Sequence, residues 1–348
     1  MKMGRILTIV LFHVALFCSA GNVKGVITNS EGKPMPYATV SILDKKITTT
    51  TNLSGEFCFA NIPNGQYRLG VSFIGYKRIV ENIEVADVPL NISLQMEEQS
   101  IQLGELMVLP DGMSMEDFIL QQLYKHSVPL KNKLSEFKAD VNFFLEKDMD
   151  LTNMPQRRTI RTLAWIAGYA KLLDVIIQNK YLKVRMTDKL NYKKGKLKGT
   201  NPKVTEMAPK LTERQVAAFE NHGELLSGNL YDNVYKEIKD ASKKLLKVRK
   251  KGYKDHFKYV GSYDFEGRTV YVAKYQQAEI HIVDGCWQIL RLVHKISDEE
   301  LGYVKLYFEF QEYSRDVFLP VSGFIKFDIK GNEQINGSGM ISYSYNYF

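Results

Sequence analysis

Histidines are the first residues to test for chemistry, because the imidazole serves both as a metal ligand and as a general base near neutral pH. The chain has six, and none is followed three residues later by glutamate, the spacing of a His-x-x-Glu zinc pair. His281 has Asp284 at that spacing, but the pair falls at the end of a predicted hairpin. His222 lies two residues before Glu224, where the pair could enter a pocket. We predict no metal site at either pair.

Other catalytic signatures are missing from the sequence. It has no Gly-x-Ser-x-Gly nucleophile elbow, no His-Glu-x-x-His helix and no Gly-x-x-x-x-Gly-Lys phosphate loop. A serine or cysteine triad with members far apart in the chain stays open. We therefore predict no catalytic, metal-binding or cofactor-binding residues and no cofactor.

The first twenty residues have the pattern of a secretory signal. Lys2 and Arg5 precede an apolar run at residues 6–18, which is short for a membrane span, and small residues follow it. We predict a signal peptide at residues 1–20; a retained anchor or a lipid on Cys18 are alternatives. Cys58 and Cys286 then remain, too far apart in sequence to predict a disulfide, and Cys58 is expected to be buried.

Short strands separated by turn residues fill residues 21–98. Apolar, alternating segments are separated by Gly-, Asn- and Pro-rich turns at residues 29–34, 52–55 and 63–65. About seven such strands in eighty residues predict a small β-sandwich. Between residues 21 and 105 the chain has seven basic and nine acidic residues, whereas the whole chain has a net charge of +8, which supports a boundary near residue 105.

Five segments of this sandwich carry a recognisable pattern: residues 25–28 (GVIT), 32–40 (GKPMPYATV), 50–57 (TTNLSGEF), 62–67 (IPNGQY) and 72–76 (SFIGY). Together they resemble the carboxypeptidase regulatory-like domain over residues 22–95. The resemblance implies a transthyretin-like seven-stranded sandwich, common in outer-membrane and periplasmic proteins, and it implies no peptidase activity. Asn52 stands where the family often has Asp, which weakens any inherited metal site.

The chain after a linker at residues 99–112 alternates between helical and strand patterns. Ser114 is a predicted N-cap for a helix ending near residue 126, and residues 137–145 alternate as a strand. Residues 159–186 predict a core-packing helix, with a membrane-surface helix or a lid as alternatives. Residues 189–203 predict a polar loop, and further helices are expected from Thr212 and at residues 230–248.

From residue 259 onward the pattern is antiparallel β. Turns are predicted at Glu266-Gly267 and, as a two-residue hairpin, at Asp284-Gly285. Six or seven strands with one apolar face predict a curved antiparallel sheet, covered by the upstream helices. The predicted fold class is mainly β with α (α+β): the N-terminal seven-stranded sandwich at residues 21–98, then a helix-covered antiparallel β domain at residues 113–348.

Two segments of this sheet carry a second pattern: residues 280–283 (IHIV) and 287–289 (WQI). They are similar to the repeated β-units of outer-membrane lipoprotein-sorting domains. That resemblance implies a half-barrel, covered by helices, that binds acyl chains.

A basic run follows the predicted helix at residues 230–248. A solvated helix face is the default interpretation, and contact with anionic lipid headgroups is the functional one. Nucleic acid is not expected for an exported protein. The run consists of Lys243, Lys244, Lys247, Arg249, Lys250 and Lys251.

These patterns lead to one principal hypothesis about function. The chain is expected to be an exported, non-catalytic envelope protein, in the periplasm or on the periplasmic face of the outer membrane. Its sandwich would be an interaction module, with an outer-membrane protein as partner, and its sheet would hold an apolar or lipid-like ligand or a partner segment. An envelope hydrolase is one alternative. A small outer-membrane barrel is another, suggested by Tyr343, Tyr345, Tyr347 and Phe348.

Overall fold

The computed structural model describes residues 20–101, 109, 112–126, 134–148, 175, 178–193, 196–199, 202–221, 256–275, 278–298, 302–329 and 335–346. Most of the predicted signal peptide, the predicted helix at residues 230–248 and the basic run after it lie outside these ranges.

Seven strands form the N-terminal β-sandwich that the sequence predicts. One sheet has the order β4-β1-β7 and the other the order β3-β2-β5-β6, and β1 pairs with β7 in parallel. Their inward side chains, such as Val23, Val40 and Leu69, are fully buried between the two sheets. The strands are β1 (Ala20–Asn29), β2 (Thr39–Ile42), β3 (Ile47–Thr50), β4 (Glu56–Pro63), β5 (Gly65–Ser72), β6 (Ile79–Val85) and β7 (Leu90–Met96).

The turn between β3 and β4 shows why its sequence is restricted. The Asn52 side-chain oxygen accepts hydrogen bonds from the backbone N–H groups of Ser54 and Glu56, each at 2.9 Å. Gly55 has φ +75°, and a Cβ there would lie 2.5 Å from the carbonyl oxygen of Ile27. Only glycine meets both conditions without strain. Asn52 can perform this turn-forming role in place of Asp, because the role needs only an acceptor oxygen.

The second part of the chain builds one sheet of eleven strands. Its order is β10-β9-β8-β18-β17-β16-β15-β14-β13-β12, and β11 pairs with β9 beside β10. The strands are β8 (Glu136–Asp148), β9 (Tyr181–Lys193), β10 (Lys196–Gly199), β11 (Lys203–Ala208), β12 (Phe257–Phe265), β13 (Arg268–Tyr275), β14 (Ala278–Val283), β15 (Gln288–Asp298), β16 (Gly302–Ser314), β17 (Val317–Ile329) and β18 (Ile335–Asn346).

Helical cover over this sheet is minor in the described residues, which corrects the predicted helix-covered architecture. Two α-helices have described bounds, α1 (Met115–His126) and α2 (Glu213–Glu220). The helix predicted for residues 159–186 is wrong from Tyr181 onward, because the alternating side chains of β9 enter the sheet. The polar loop predicted for residues 189–203 is also wrong, since β9, β10 and β11 occupy most of it.

The predicted helix starts are confirmed by their capping bonds. Ser114 Oγ accepts the backbone N–H of Asp117 at 3.2 Å at the start of α1. At the start of α2, Thr212 and Gln215 exchange side-chain to backbone hydrogen bonds, which is a capping box.

The turn predictions had mixed outcomes. Glu266-Gly267 forms the predicted two-residue turn, with both φ angles positive. The Asp284-Gly285 hairpin is wrong in length, since the turn extends to Trp287, whose indole stacks on Tyr271 at 5.8 Å. That stacking fixes the longer loop.

The sandwich lies against one face of the large sheet. The hydroxyl of Tyr37 bonds to Ser338 and that of Thr39 to Ser322, and the backbone N–H of Thr48 donates to Ser344 Oγ at 3.1 Å. We call this the docking face, and the opposite side of the sheet the apolar face. Cys58 is exposed, contrary to the prediction of a buried thiol, and Cys286 is buried; both are free thiols.

Candidate functional site

The apolar face carries a row of apolar residues across the sheet, with one glycine in it. Each residue is the register partner of the next, so the row runs from β9 to β12. All members except the glycine belong to the hydrophobic core or pack against it. The members, in order, are Met186, Phe143, Ile341, Gly323, Phe308, Leu292, Ile280, Ala273 and Tyr259.

Helix α1 covers the β12–β13 end of the apolar face. Phe118 packs edge-on against Tyr271 and Trp287, with ring centroids 6.4 and 5.7 Å away. Helix α2 covers the opposite end, where it contacts β11. Between them, Leu292 and Leu306 are only half-buried although they belong to the centre of the face. Such a position is suited to contact with an apolar group.

The docking face carries a row of a different kind, which we call the polar row. Register pairs connect it from β14 to β9, and it includes three charged or titratable residues that are almost fully buried. The members, in order, are His281, Arg291, Glu309, Ser322, Ser342, Asn142 and Thr187. The sandwich contacts the fourth member, Ser322, through the hydroxyl of Thr39.

A buried hydrogen-bond chain sits at the start of the polar row. Tyr263 Oη lies 3.0 Å from His281 Nδ1, and His281 Nε2 lies 3.2 Å from Glu279 Oε1. Burial is the main cause that lowers the pKa of His281, so the ring is neutral. The neutral ring then donates from Nε2 to the carboxylate and accepts from the phenol at Nδ1.

Burial also raises the pKa of Tyr263 to about 12. The phenol therefore keeps its proton at neutral pH. Neither Tyr263 nor His281 is activated as a nucleophile or a base. His281 is 3% exposed, so a substrate has no direct approach to it.

Arg291 and Glu309 form a buried ion pair next to this chain. Arg291 Nε donates to Glu309 Oε1 at 3.4 Å, and both side chains are almost fully buried. The pKa of Arg291 is raised: desolvation is the largest single contribution and lowers it, but Glu309, Tyr263 and Tyr307 together outweigh that effect. Glu309 Oε2 has no hydrogen-bond partner among the described residues. The pair links β15 and β16 at a considerable desolvation cost.

The sequence singled out some of these residues for other reasons. His281 does not join Asp284, because its ring bonds to Glu279 and Tyr263 instead. His222 and Glu224 lie outside the described residues, as does the basic run. Tyr343 and Tyr345 are buried on the apolar face. In the described part of the chain, His, Cys, Asp and Glu form no group of three or more that could hold a metal ion.

Sequence reasoning missed Tyr263, Glu279, Arg291 and Glu309. A signal was available, because Arg291 and Glu309 interrupt strongly apolar strands at positions where alternation demands burial or pairing. Their pairing across β15 and β16 could be assigned only once the register was known.

Comparison with known proteins identifies the N-terminal domain. Residues 23–108 match the model of the CarboxypepD_reg-like domain family. This confirms the resemblance predicted from residues 22–95. No curated protein matches the chain.

Several solved structures are similar to the chain at low identity. An outer membrane lipoprotein-sorting protein domain from Vibrio parahaemolyticus is 11% identical, with 65% of this chain and 88% of that chain covered and a TM-score of 0.29. A membrane-associated protein of unknown function from Bacteroides fragilis NCTC 9343 is 12% identical, with 94% and 99% covered and a TM-score of 0.19.

The Bacillus anthracis TIE protein is 16% identical, with 54% of this chain covered and a TM-score of 0.21. The chain spans only 28% of that protein's length. All three TM-scores are too low to establish a common fold. Within the described ranges, no helix is both long and apolar enough to cross a membrane.

Proposed function

We propose that this chain is an exported, non-catalytic cell-envelope protein whose large sheet holds an apolar or lipid-like ligand, or an apolar segment of a partner, on its apolar face. The observation that carries the proposal is that Leu292 and Leu306 stay half-buried at the centre of the apolar face, although most of the row from Met186 to Tyr259 is buried. A ligand that covers the exposed parts of Leu292 and Leu306 gains about 25 cal/mol for each Å² of apolar surface it removes from water.

The buried polar groups support a non-catalytic role. Tyr263 and His281 are neutral, almost fully buried and hydrogen-bonded to each other, and Arg291 is paired with Glu309. Reactive sites instead combine an accessible side chain with a pKa moved toward the working pH. The positive and apolar segments of residues 1–20 support export, and the family of the N-terminal domain is compatible with a location in the periplasm or on the periplasmic face of the outer membrane.

The test is to purify the chain from envelope fractions without detergent and to measure bound lipid by native mass spectrometry and by solvent extraction. The wild-type chain is expected to carry an acyl-chain lipid or an apolar peptide. Leu292→Gln with Leu306→Gln should reduce the bound amount about tenfold, because two uncompensated amides oppose the ligand.

Val88→Gln is the matched control, since Val88 is 72% exposed on the sandwich and should not alter the bound amount. Circular dichroism checks that all variants fold. A wild-type chain without any apolar ligand, or a folded double variant that binds as much as the wild type, would refute the proposal.

A further inference from the structure

A groove lies at the edge of the sandwich, on the docking face of the large sheet. Its volume is about 570 Å³, within the usual range for small-molecule sites. The floor is formed by β18, β8, β9 and β11, and one wall by β3 and the turn after it. The floor includes Ser342, Asn142 and Thr187, the last three members of the polar row. The sandwich thus contacts the polar row at Ser322, next to the three members that line the groove.

These three side chains have free hydrogen-bonding capacity. In the described part of the chain, Ser342, Asn142 and Thr187 make no side-chain hydrogen bond with another residue. They are register partners on adjacent strands, so they stand roughly 5 Å apart across the floor. Two hydroxyls and one amide supply both donors and acceptors in a line. By contrast, Ser322 and Ser344 of the same face are bonded to the sandwich.

Apolar surface flanks this line on both sides. Phe144, two residues beyond Asn142 on the same face, lines the groove half-buried, with the Arg185 guanidinium 4.8 Å from its ring centroid. Leu53, at the tip of the turn after β3, also lines the groove although 60% of its surface is exposed. A solvent-exposed leucine beside free hydroxyl and amide groups indicates a ligand that is both polar and apolar.

The charges of the groove are balanced. Lys183 and Arg185 pair with Glu206 at 3.0 and 2.8 Å. The bond from Lys183 is the first cause that lowers the pKa of Glu206, so this carboxylate stays ionised and the pairing holds at neutral pH. Glu146 adds one acidic group to the lining. A strongly charged ligand would therefore meet no matching excess of charge.

We propose that this groove binds a neutral oligosaccharide. Sugar rings present hydroxyl groups, which both donate and accept, on an otherwise apolar C–H surface, and the groove offers the complement of each. An extended peptide is less suited to the centre of the floor, because β18, β8 and β9 pair on both sides and leave no backbone groups for strand addition. The site lies on the opposite side of the sheet from the apolar face and is independent of the proposed function.

The test is calorimetric titration of the full chain with malto-, cello-, manno- and chitooligosaccharides. The wild-type chain is expected to bind at least one of these series. Asn142→Leu with Thr187→Val keeps the shapes of the side chains but removes their hydrogen bonds, and should weaken that binding at least about tenfold.

The matched control is Asn91→Leu with Thr269→Val, which makes the same changes at exposed strand positions outside the groove and should bind like the wild type. Absence of binding to all four series overturns the proposal, as does equal binding by the groove variant. Binding of an unstructured peptide pool at the groove in place of the sugars also overturns it. Lipid content, measured on the same samples, reports separately on the apolar face.

Discussion

His281 illustrates how a single buried residue can set the response of this protein to acid. Its ring lies between Tyr263 and Glu279, and burial lowers its pKa in the folded state by more than the bond to Glu279 raises it. The unfolded chain takes up a proton on this residue below about pH 6.5, whereas the folded chain resists it. Stability from this residue is therefore present above that pH and is lost as the pH falls.

We expect the free energy of unfolding to decrease as the pH is lowered below about 6.5, by at most about 1.4 kcal/mol per pH unit from this residue. His281→Gln should be less stable at neutral pH, because it disturbs the bonds to Tyr263 and Glu279, but its stability should depend less on pH. Urea unfolding across the pH range measures both quantities. An unchanged pH dependence in His281→Gln would show that His281 is not responsible.

At the scale of the strand, the close packing of β16 against β17 depends on Gly323. A Cβ at this position would lie 2.6 Å from the Phe308 ring and 2.9 Å from the carbonyl oxygen of Tyr307. The second contact is with backbone, which has little freedom to move. The glycine thus lets the large Phe308 ring lie across the neighbouring strand within the apolar row.

Gly323→Ala is expected to destabilise the protein by about 1–3 kcal/mol, the usual cost of overpacking a core. Combining it with Phe308→Leu should recover part of this loss, because the smaller side chain frees space on the same face. Chemical denaturation of the two single variants and the double variant measures the coupling. Purely additive effects would contradict the contact between these two residues.

Strands could be predicted from the sequence where the signals that define them lie close together in the chain. The sandwich could be predicted because its turns carry their own chemistry, as Asn52 and Gly55 do. β9 was missed although Leu182, Val184 and Met186 alternate, because the apolar spacing just before it favours a helix. The polar row could not be predicted at all. Its members come from seven strands, and only the register of the folded sheet brings Asn142 beside Ser342.

At the scale of the whole molecule, the sandwich and the large sheet are held together by a mixed interface. Phe73 stacks on Phe324 and packs on Tyr307, with centroids 6.4 and 6.3 Å away. Arg78 pairs with Glu266 at 2.9 Å and lies over the Phe265 ring. These contacts are within one chain and bury apolar and charged groups together, so the two parts should unfold cooperatively.

The wild-type chain is expected to show one thermal transition. Phe73→Ala with Arg78→Ala should produce two, because it removes the aromatic and ionic anchors of the interface and leaves Glu266 without its partner. Arg68→Ala is the control: it breaks the exposed Asp44 pair inside the sandwich and should keep a single transition. Differential scanning calorimetry gives the count, and one transition in the double variant would contradict the coupling.

The position of β18 has a consequence for biosynthesis. It lies between β8 and β17, so β8 finds its partner on that side only after residues 335–346 have been made. Until then, the nascent chain carries an open edge with Phe143 and Val141 beside it, and such edges invite pairing with other chains. The sheet therefore cannot close on this side of β8 until β18 has been made, and the open edge would need protection from other chains before then.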